Sequence, residues 1–244
     1  MPSNEGFRFK QFYVHHDRCA MKVGTDGVLL GAWAPGVNGV ISWLNRGQNV
    51  VCLDIGTGSG LVALMLAQRF PQAKIEAIDI DSNAVQQAQE NFEQSAFCNQ
   101  LSVHQARLQD WHGGPYDLIV SNPPYFQNSL KNPDKGRELA RHTDNLSYEE
   151  LIAHSARLLN PEGQLAIILP AETEKDICRM ANDMGLCLTH ITRVFSKESK
   201  PARRVLMSFC KNTTNAPIED TLVLENDKGD RSRPYQELCK DFYL

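Results

Sequence analysis

Asn122, Pro123, Pro124 and Tyr125 stand in a row behind an apolar run, and together they suit a reaction at a flat amino group. An sp² amino nitrogen is a poor nucleophile, because its lone pair is delocalised. Accepting both of its hydrogens draws it toward sp³. The Asn122 side-chain carbonyl can accept one of them. The Pro123 carbonyl can accept the other, from a residue whose ring fixes φ and adds no competing N–H. Pro124 restricts Pro123 and keeps that carbonyl extended. Tyr125 offers a face on which a flat substrate can stack. No strong base is needed, since the proton can leave once the nitrogen is cationic. Catalysis would then rest on in-line positioning and local electrostatics. The competing reading is a rigid Pro-Pro turn at a strand end.

A second constellation lies upstream. Asp54 runs into Gly56-Thr57-Gly58-Ser59-Gly60. Glycine has no Cβ and tolerates positive φ, so such a turn lets backbone approach a ligand closely. Asp79 follows Gly56 by 23 residues, near the spacing of a carboxylate that grips ribose hydroxyls. The pattern Asp-x-Gly-x-Gly-x-Gly is not the dinucleotide fingerprint Gly-x-Gly-x-x-Gly. Alone it also fits a purely structural strand-to-helix turn.

The elements that must position these residues alternate along the chain. Apolar runs predict strands over 50–54, 74–79, 101–106, 116–121 and 164–169. Helical patterns fall at 61–68, 82–94, 147–159 and 171–184. Ser82 is a plausible N-cap. Ser147 with Glu150 makes a capping box, and Gly185 a C-terminal stop. Alternating strands and helices predict a doubly wound α/β fold with a mostly parallel sheet. Residues 186–195 and 204–211 read as an antiparallel hairpin at one edge. A strand over 219–224 and a short helix over 235–242 are weaker signals. The expected organisation is an N-terminal extension, 1–48, folding over the site, then one catalytic domain, 49–244.

Composition narrows the class. The chain has 244 residues, 42% hydrophobic and 22% charged, so it is globular rather than disordered. The apolar runs are too short to span a bilayer, and the first residues do not read as a secretory leader. Seven dispersed cysteines without a Cys-x-x-Cys pair suggest reduced thiols and a cytoplasmic setting. Cys52 and Cys210 fit core packing. No spacing supports a metal site, and His15, His16 and His142 are expected to be exposed or to face RNA. The net charge of −4 means that any nucleic acid must be met by local basic patches.

The glycine turn resembles motif I of the class I, Rossmann-like methyltransferases. That resemblance implies S-adenosylmethionine as cofactor. It places the methionine portion at Asp54 and the turn of Gly56, Gly58 and Gly60, and the ribose at Asp79, with Ile80 also against the cofactor. In that family an acid after the third strand often meets the cofactor adenine. Arg107 stands there in this chain and Asp110 follows, so this contact stays open. Asn-Pro-Pro-Tyr resembles motif IV of methyltransferases acting on adenine, guanine or glutamine amide. The stretch from Phe9-Lys10-Gln11-Phe12 through Gly24-Thr25-Asp26-Gly27 to Trp33, the helix through Gln86 and Asn91, and the terminal Asp241-Phe242-Tyr243-Leu244 resemble the bacterial tRNA(Val) adenine methyltransferases. The likeness covers nearly the whole chain.

It implies transfer to the N6 amine of the adenine 3′ of the anticodon, with tRNA as partner. It also places Lys22, Thr25 and Asp26 near the cofactor. Thr25 or Asp26 would serve equally as a helix N-cap. Basic clusters suit RNA: Lys131, Lys135, Arg137 and Arg141 behind motif IV, and Lys197, Lys200, Arg203 and Arg204 in the late hairpin. A monomer or weak dimer is expected. The alternatives are a methyltransferase for rRNA guanine or protein glutamine, or an RNA-binding scaffold without activity.

Overall fold

The computed structural model describes residues 5–19, 22–34, 50–124, 146–213 and 215–243. A small antiparallel hairpin comes first, β1 (Gly6–Arg8) with β2 (Tyr13–His15), then helix α1 (Thr25–Trp33). The alternating part follows: β3 (Val51–Ile55), α2 (Leu61–Arg69), β4 (Lys74–Asp79), α3 (Ser82–Glu93), β5 (Leu101–Gln105) and β6 (Tyr116–Ser121). Next come α4 (Tyr148–Leu158), β7 (Leu159–Pro170), α5 (Glu174–Asp183), β8 (Cys187–Phe195), β9 (Ala202–Cys210), β10 (Ile218–Val223) and α6 (Arg233–Cys239).

Eight strands form one sheet in the order β10-β8-β9-β7-β6-β3-β4-β5. The expected antiparallel pair is present, but it does not hang on the edge. β9 slots between β7 and β8 and runs against both, while β10 closes the edge parallel to β8. Burial explains the order. Every residue of β9 from Val205 to Cys210 is buried, as an interior strand must be, whereas four of the six residues of β10 are exposed.

Residues of alternate parity feed two cores. Cys52, Leu118, Val120, Ala166 and Ile168 point to the face covered by α1, α2, α3 and α6. Leu53, Ile55, Ile119, Leu165 and Ile167 point to the face covered by α4 and α5. α2 is apolar all round because α1 covers its outer side. A Cβ on Gly31 of α1 would lie 2.6 Å from Met65 Sδ, so the two helices approach as closely as glycine permits. Trp33 then donates from Nε1 to Thr192 Oγ1 at 2.8 Å, tying α1 to β8.

Local signals hold in most places. The capping box at Ser147 and Glu150 is formed, and Gly185 ends α5 with φ +75°. Two caps differ. Asp81, not Ser82, caps α3, its carboxylate accepting from Asn83 N at 2.9 Å. Gly24 caps α1 without any side-chain bond, so neither Thr25 nor Asp26 is the N-cap.

Candidate active site

The parallel strands β3, β4 and β6 end side by side, and their carboxyl ends open onto a cavity of about 620 Å³. Ligands bind at this edge in sheets of this kind.

β3 delivers Asp54, 1% exposed. Its Oδ2 accepts from Thr57 Oγ1 at 2.6 Å and from Ala63 N at 3.2 Å. Burial pushes its carboxyl up to about 7, against the pull of those two bonds. Gly56, Gly58 and Gly60 all take positive φ, at 69°, 56° and 80°. A Cβ on Gly56 or Gly58 would meet nothing within 4 Å, so these two present bare backbone to the cavity. Gly60 does not line it. A Cβ there would lie 2.5 Å from Phe92, so Gly60 serves the packing of the turn on α3.

β4 delivers Asp79. Its Oδ2 accepts from Gly58 N at 2.9 Å and its Oδ1 from Asp81 N at 3.0 Å. Ile80 lines the wall beside it and is 40% exposed, an apolar surface without a partner in the core. After β5, Arg107 and Gln109 line the cavity and Asp110 does not. The loop therefore does not carry Asp110 back to the wall.

β6 delivers Asn122, Pro123 and Pro124, all three in the wall. Ser121 before them is fully buried, and its Oγ donates to Ile55 O at 2.9 Å. This bond joins the end of β6 to the end of β3, so the Asn-Pro-Pro segment and the glycine turn are held together. Tyr125, Lys131, Lys135, Arg137, Arg141 and His142 lie outside the described residues.

The N-terminal segment closes the remaining side through Cys19 and residues 22–27. Lys22, Thr25 and Asp26 are therefore part of the cavity wall. The segment is fastened to α3. Asn91 exchanges bonds with the His15 backbone, Gln87 accepts from Arg18 N at 3.3 Å, and Arg18 pairs with Glu90 at 2.6 Å. His16 overturns the expectation of exposure. It is 4% exposed, and its Nδ1 accepts from Val23 N at 3.2 Å. Burial, with Lys22 nearby, lowers its pKa.

The late basic residues divide. Lys200 and Arg203 are exposed around the β8–β9 connection, at the same sheet edge but off the wall. Arg204 instead pairs with Asp26, Nε to Oδ2 at 2.9 Å. Sequence reasoning did not single out Cys19, Thr57, Ser59, Gln109 or Leu146, which also line the cavity. Thr57 and Ser59 sit inside the glycine turn and were within reach of it. The others depend on which loops meet.

Among the described residues no group of three or more His, Cys, Asp or Glu is placed to hold a metal ion. No helix among them is long and apolar enough to cross a membrane.

This arrangement has parallels in known proteins. A family model described as the methyltransferase small domain matches residues 35–189, which include the glycine turn, Asp79 and the Asn-Pro-Pro segment. A protein of Parabacteroides distasonis named tRNA1(Val) (adenine(37)-N6)-methyltransferase is 45% identical over 99% of this chain and 99% of its own. Relatives of the same name from Aeromonas hydrophila and Escherichia coli O9:H4 are 44% and 41% identical, over 100% and 98% of this chain and 99% and 95% of theirs. Among solved structures, a predicted O-methyltransferase from Agrobacterium tumefaciens superposes with a TM-score of 0.67 at 16% identity, over 89% of this chain and 96% of that one. Magnesium protoporphyrin IX methyltransferase from Synechocystis, solved with bound SAM, gives 0.51 at 18% identity, over 76% and 80%. At those identities the likeness is one of fold.

Proposed function

Since this chain belongs to the tRNA1(Val) (adenine(37)-N6)-methyltransferases, within the methyltransferase small-domain family, we propose that it transfers a methyl group from S-adenosylmethionine to the exocyclic N6 amine of adenine 37, just 3′ of the anticodon of a tRNA. The observation that carries this reading is the meeting, in one cavity, of the bare backbone of Gly56 and Gly58, the carboxylate of Asp79 and the Asn-Pro-Pro segment.

The residues fit that cofactor. The two glycines form a cradle that any Cβ would fill, Asp54 suits a cationic amino acid head, and Asp79 suits ribose hydroxyls. Lys22, Thr25, Asp26 and Ile80 complete the proposed cofactor wall. When bound, S-adenosylmethionine supplies an electrophilic methyl group on a sulfonium. The chain's own part is positioning. The Asn122 side-chain carbonyl and the Pro123 backbone carbonyl accept the two hydrogens of the target amine and turn its lone pair toward the cradle. Pro124 holds Pro123 extended, and Tyr125 stacks on the base. The proton leaves to water after transfer, when the nitrogen is cationic. Catalysis here is orientation and local electrostatics.

Of the extension expected over residues 1–48, the described part folds over the cofactor and substrate site. Support comes from Cys19 and residues 22–27 in the wall. RNA phosphate is met by Lys200 and Arg203, with Arg137 and Arg141 of the segment behind Tyr125. An anticodon-loop base leaves its stack at low cost, which suits a pocket set at a sheet edge.

The test is transfer of labelled methyl from S-adenosylmethionine into bulk tRNA lacking this modification, with rRNA and a protein glutamine acceptor in parallel. Label recovered in N6-methyladenosine of tRNA is expected. Label in rRNA guanine or in protein alone overturns the reading. Cofactor binding with no acceptor labelled reduces the protein to a scaffold.

A further inference from the structure

Arg204 looks in the sequence like one more cation for RNA phosphate. Its surroundings give it a different task. It stands third in β9, paired with Pro170 of β7 on one side and Val194 of β8 on the other. This guanidinium is already engaged by the protein itself. Nε donates to Asp26 Oδ2 at 2.9 Å, and Nη1 donates to the carbonyl of Arg203 at 2.9 Å. The two side chains of the pair are only 28% and 25% exposed.

Asp26 is in the first turn of α1 and in the cavity wall. Gly27 follows it. A Cβ on Gly27 would lie 3.0 Å from Leu61 Cδ2 and 3.9 Å from Asn122 Nδ2. The first turn of α1 thus packs closely on Leu61 of α2 and lies beside Asn122 in the same wall. That turn has no side-chain N-cap. The bond from Arg204 ties Asp26 of that turn to a strand far away in sequence.

We infer that Arg204, acting through Asp26, is a positioning residue: it fixes the first turn of α1 against Asn122 and does not itself hold RNA. The inference rests on the methyl transfer proposed above. It removes Arg204 from the RNA-binding set and leaves Lys200 and Arg203 in it.

The test compares wild type, Arg204→Gln, Asp26→Asn and the double variant in three measurements. These are kcat and KM for methyl transfer to tRNA, tRNA affinity as a function of salt, and melting temperature. Each single variant is expected to lose tenfold or more in kcat. The double variant should lose no more than the worse single one, because the two residues act as a unit. KM for tRNA and the slope of log affinity on log salt should stay at wild-type values. A phosphate contact predicts otherwise. Arg204→Gln would then flatten the slope by about 0.7–0.9, while its kcat would stay at the wild-type value. That result, or additive losses in the double variant, overturns the inference. Should Arg204→Gln fail to fold, Arg204→Lys decides. It keeps the charge that a phosphate needs but not the Nε geometry, so full activity in that variant contradicts a positioning role. Absence of tRNA methylation by wild type would refute the proposed activity and leave the salt slopes to judge Arg204.

Discussion

Asn91 grips the backbone of His15 from both ends, its Oδ1 accepting from His15 N at 2.9 Å and its Nδ2 donating to His15 O at 2.8 Å. The same Nδ2 donates to Ser59 O at 2.8 Å. One side-chain amide, 1% exposed, therefore holds the N-terminal segment and the glycine turn together. Asn91→Ala leaves buried backbone groups without partners, at about 1–3 kcal/mol for each. We expect urea unfolding to show a loss of about 2 kcal/mol or more, and calorimetry to show weaker cofactor binding. Wild-type values in both would contradict this linkage.

Gly58 and Gly60 share a left-handed backbone but differ in what surrounds them. At Gly60 an added methyl meets Phe92, so Gly60→Ala should cost about 1–2 kcal/mol of backbone strain and a further 1–3 kcal/mol of overpacking. At Gly58 the methyl points into open cavity. Gly58→Ala should cost only the strain in stability, yet reduce cofactor affinity more than Gly60→Ala does, because it fills the cradle. Denaturation and calorimetry on both variants check this, and equal effects in the two assays would contradict the division.

Asp54 gives a pH dependence with a definite sign. Its carboxyl is raised from the ordinary 3.8 to about 7 by burial. Between those values the folded protein holds a proton that the unfolded chain has released. The contribution of Asp54 to stability is therefore present at low pH and lost as pH rises through 7. Asp54→Asn does not titrate. From pH 5 to pH 8, without cofactor, wild type should lose melting temperature relative to Asp54→Asn. Parallel curves would remove the buried-carboxylate account.

Asn122 and Asp79 separate chemistry from binding. Asn122→Ala should abolish methylation and leave cofactor affinity within a few-fold. Asp79→Ala should weaken the cofactor by about 1.5–3 kcal/mol, the value of a charge-assisted hydrogen bond. Normal turnover in the first variant, or unchanged affinity in the second, would refute the respective role.

Much of this was legible before the structure. Glycine spacing, the run into Asn122 and the alternation of periods are local signals, and they located β3, β4, β6 and the parts of the cavity wall at Asp54, Gly56, Gly58, Asp79 and Asn122. What escaped depends on how segments meet, whether near or far in sequence. His16 looked like a surface histidine because nothing nearby in sequence reveals that the chain folds back to Val23. Arg204 looked like a free cation because its partner, Asp26, is 178 residues away. The position of β9 inside the sheet follows from burial on both faces, which its apolar run from Val205 hinted at but did not order. Gly60 belonged to the motif and not to the cavity, a distinction that only Phe92 makes.

The central claim is that the Asn122 cavity methylates one adenine. The most direct measurement uses an unmodified tRNA1(Val) transcript and a second transcript with adenine 37 replaced by guanine, each incubated with labelled S-adenosylmethionine and wild-type protein or Asn122→Ala. The account predicts one methyl per transcript, at N6 of adenine 37, with wild-type protein on the first transcript, and none in the other three reactions. Label in the substituted transcript, or from Asn122→Ala, would contradict it.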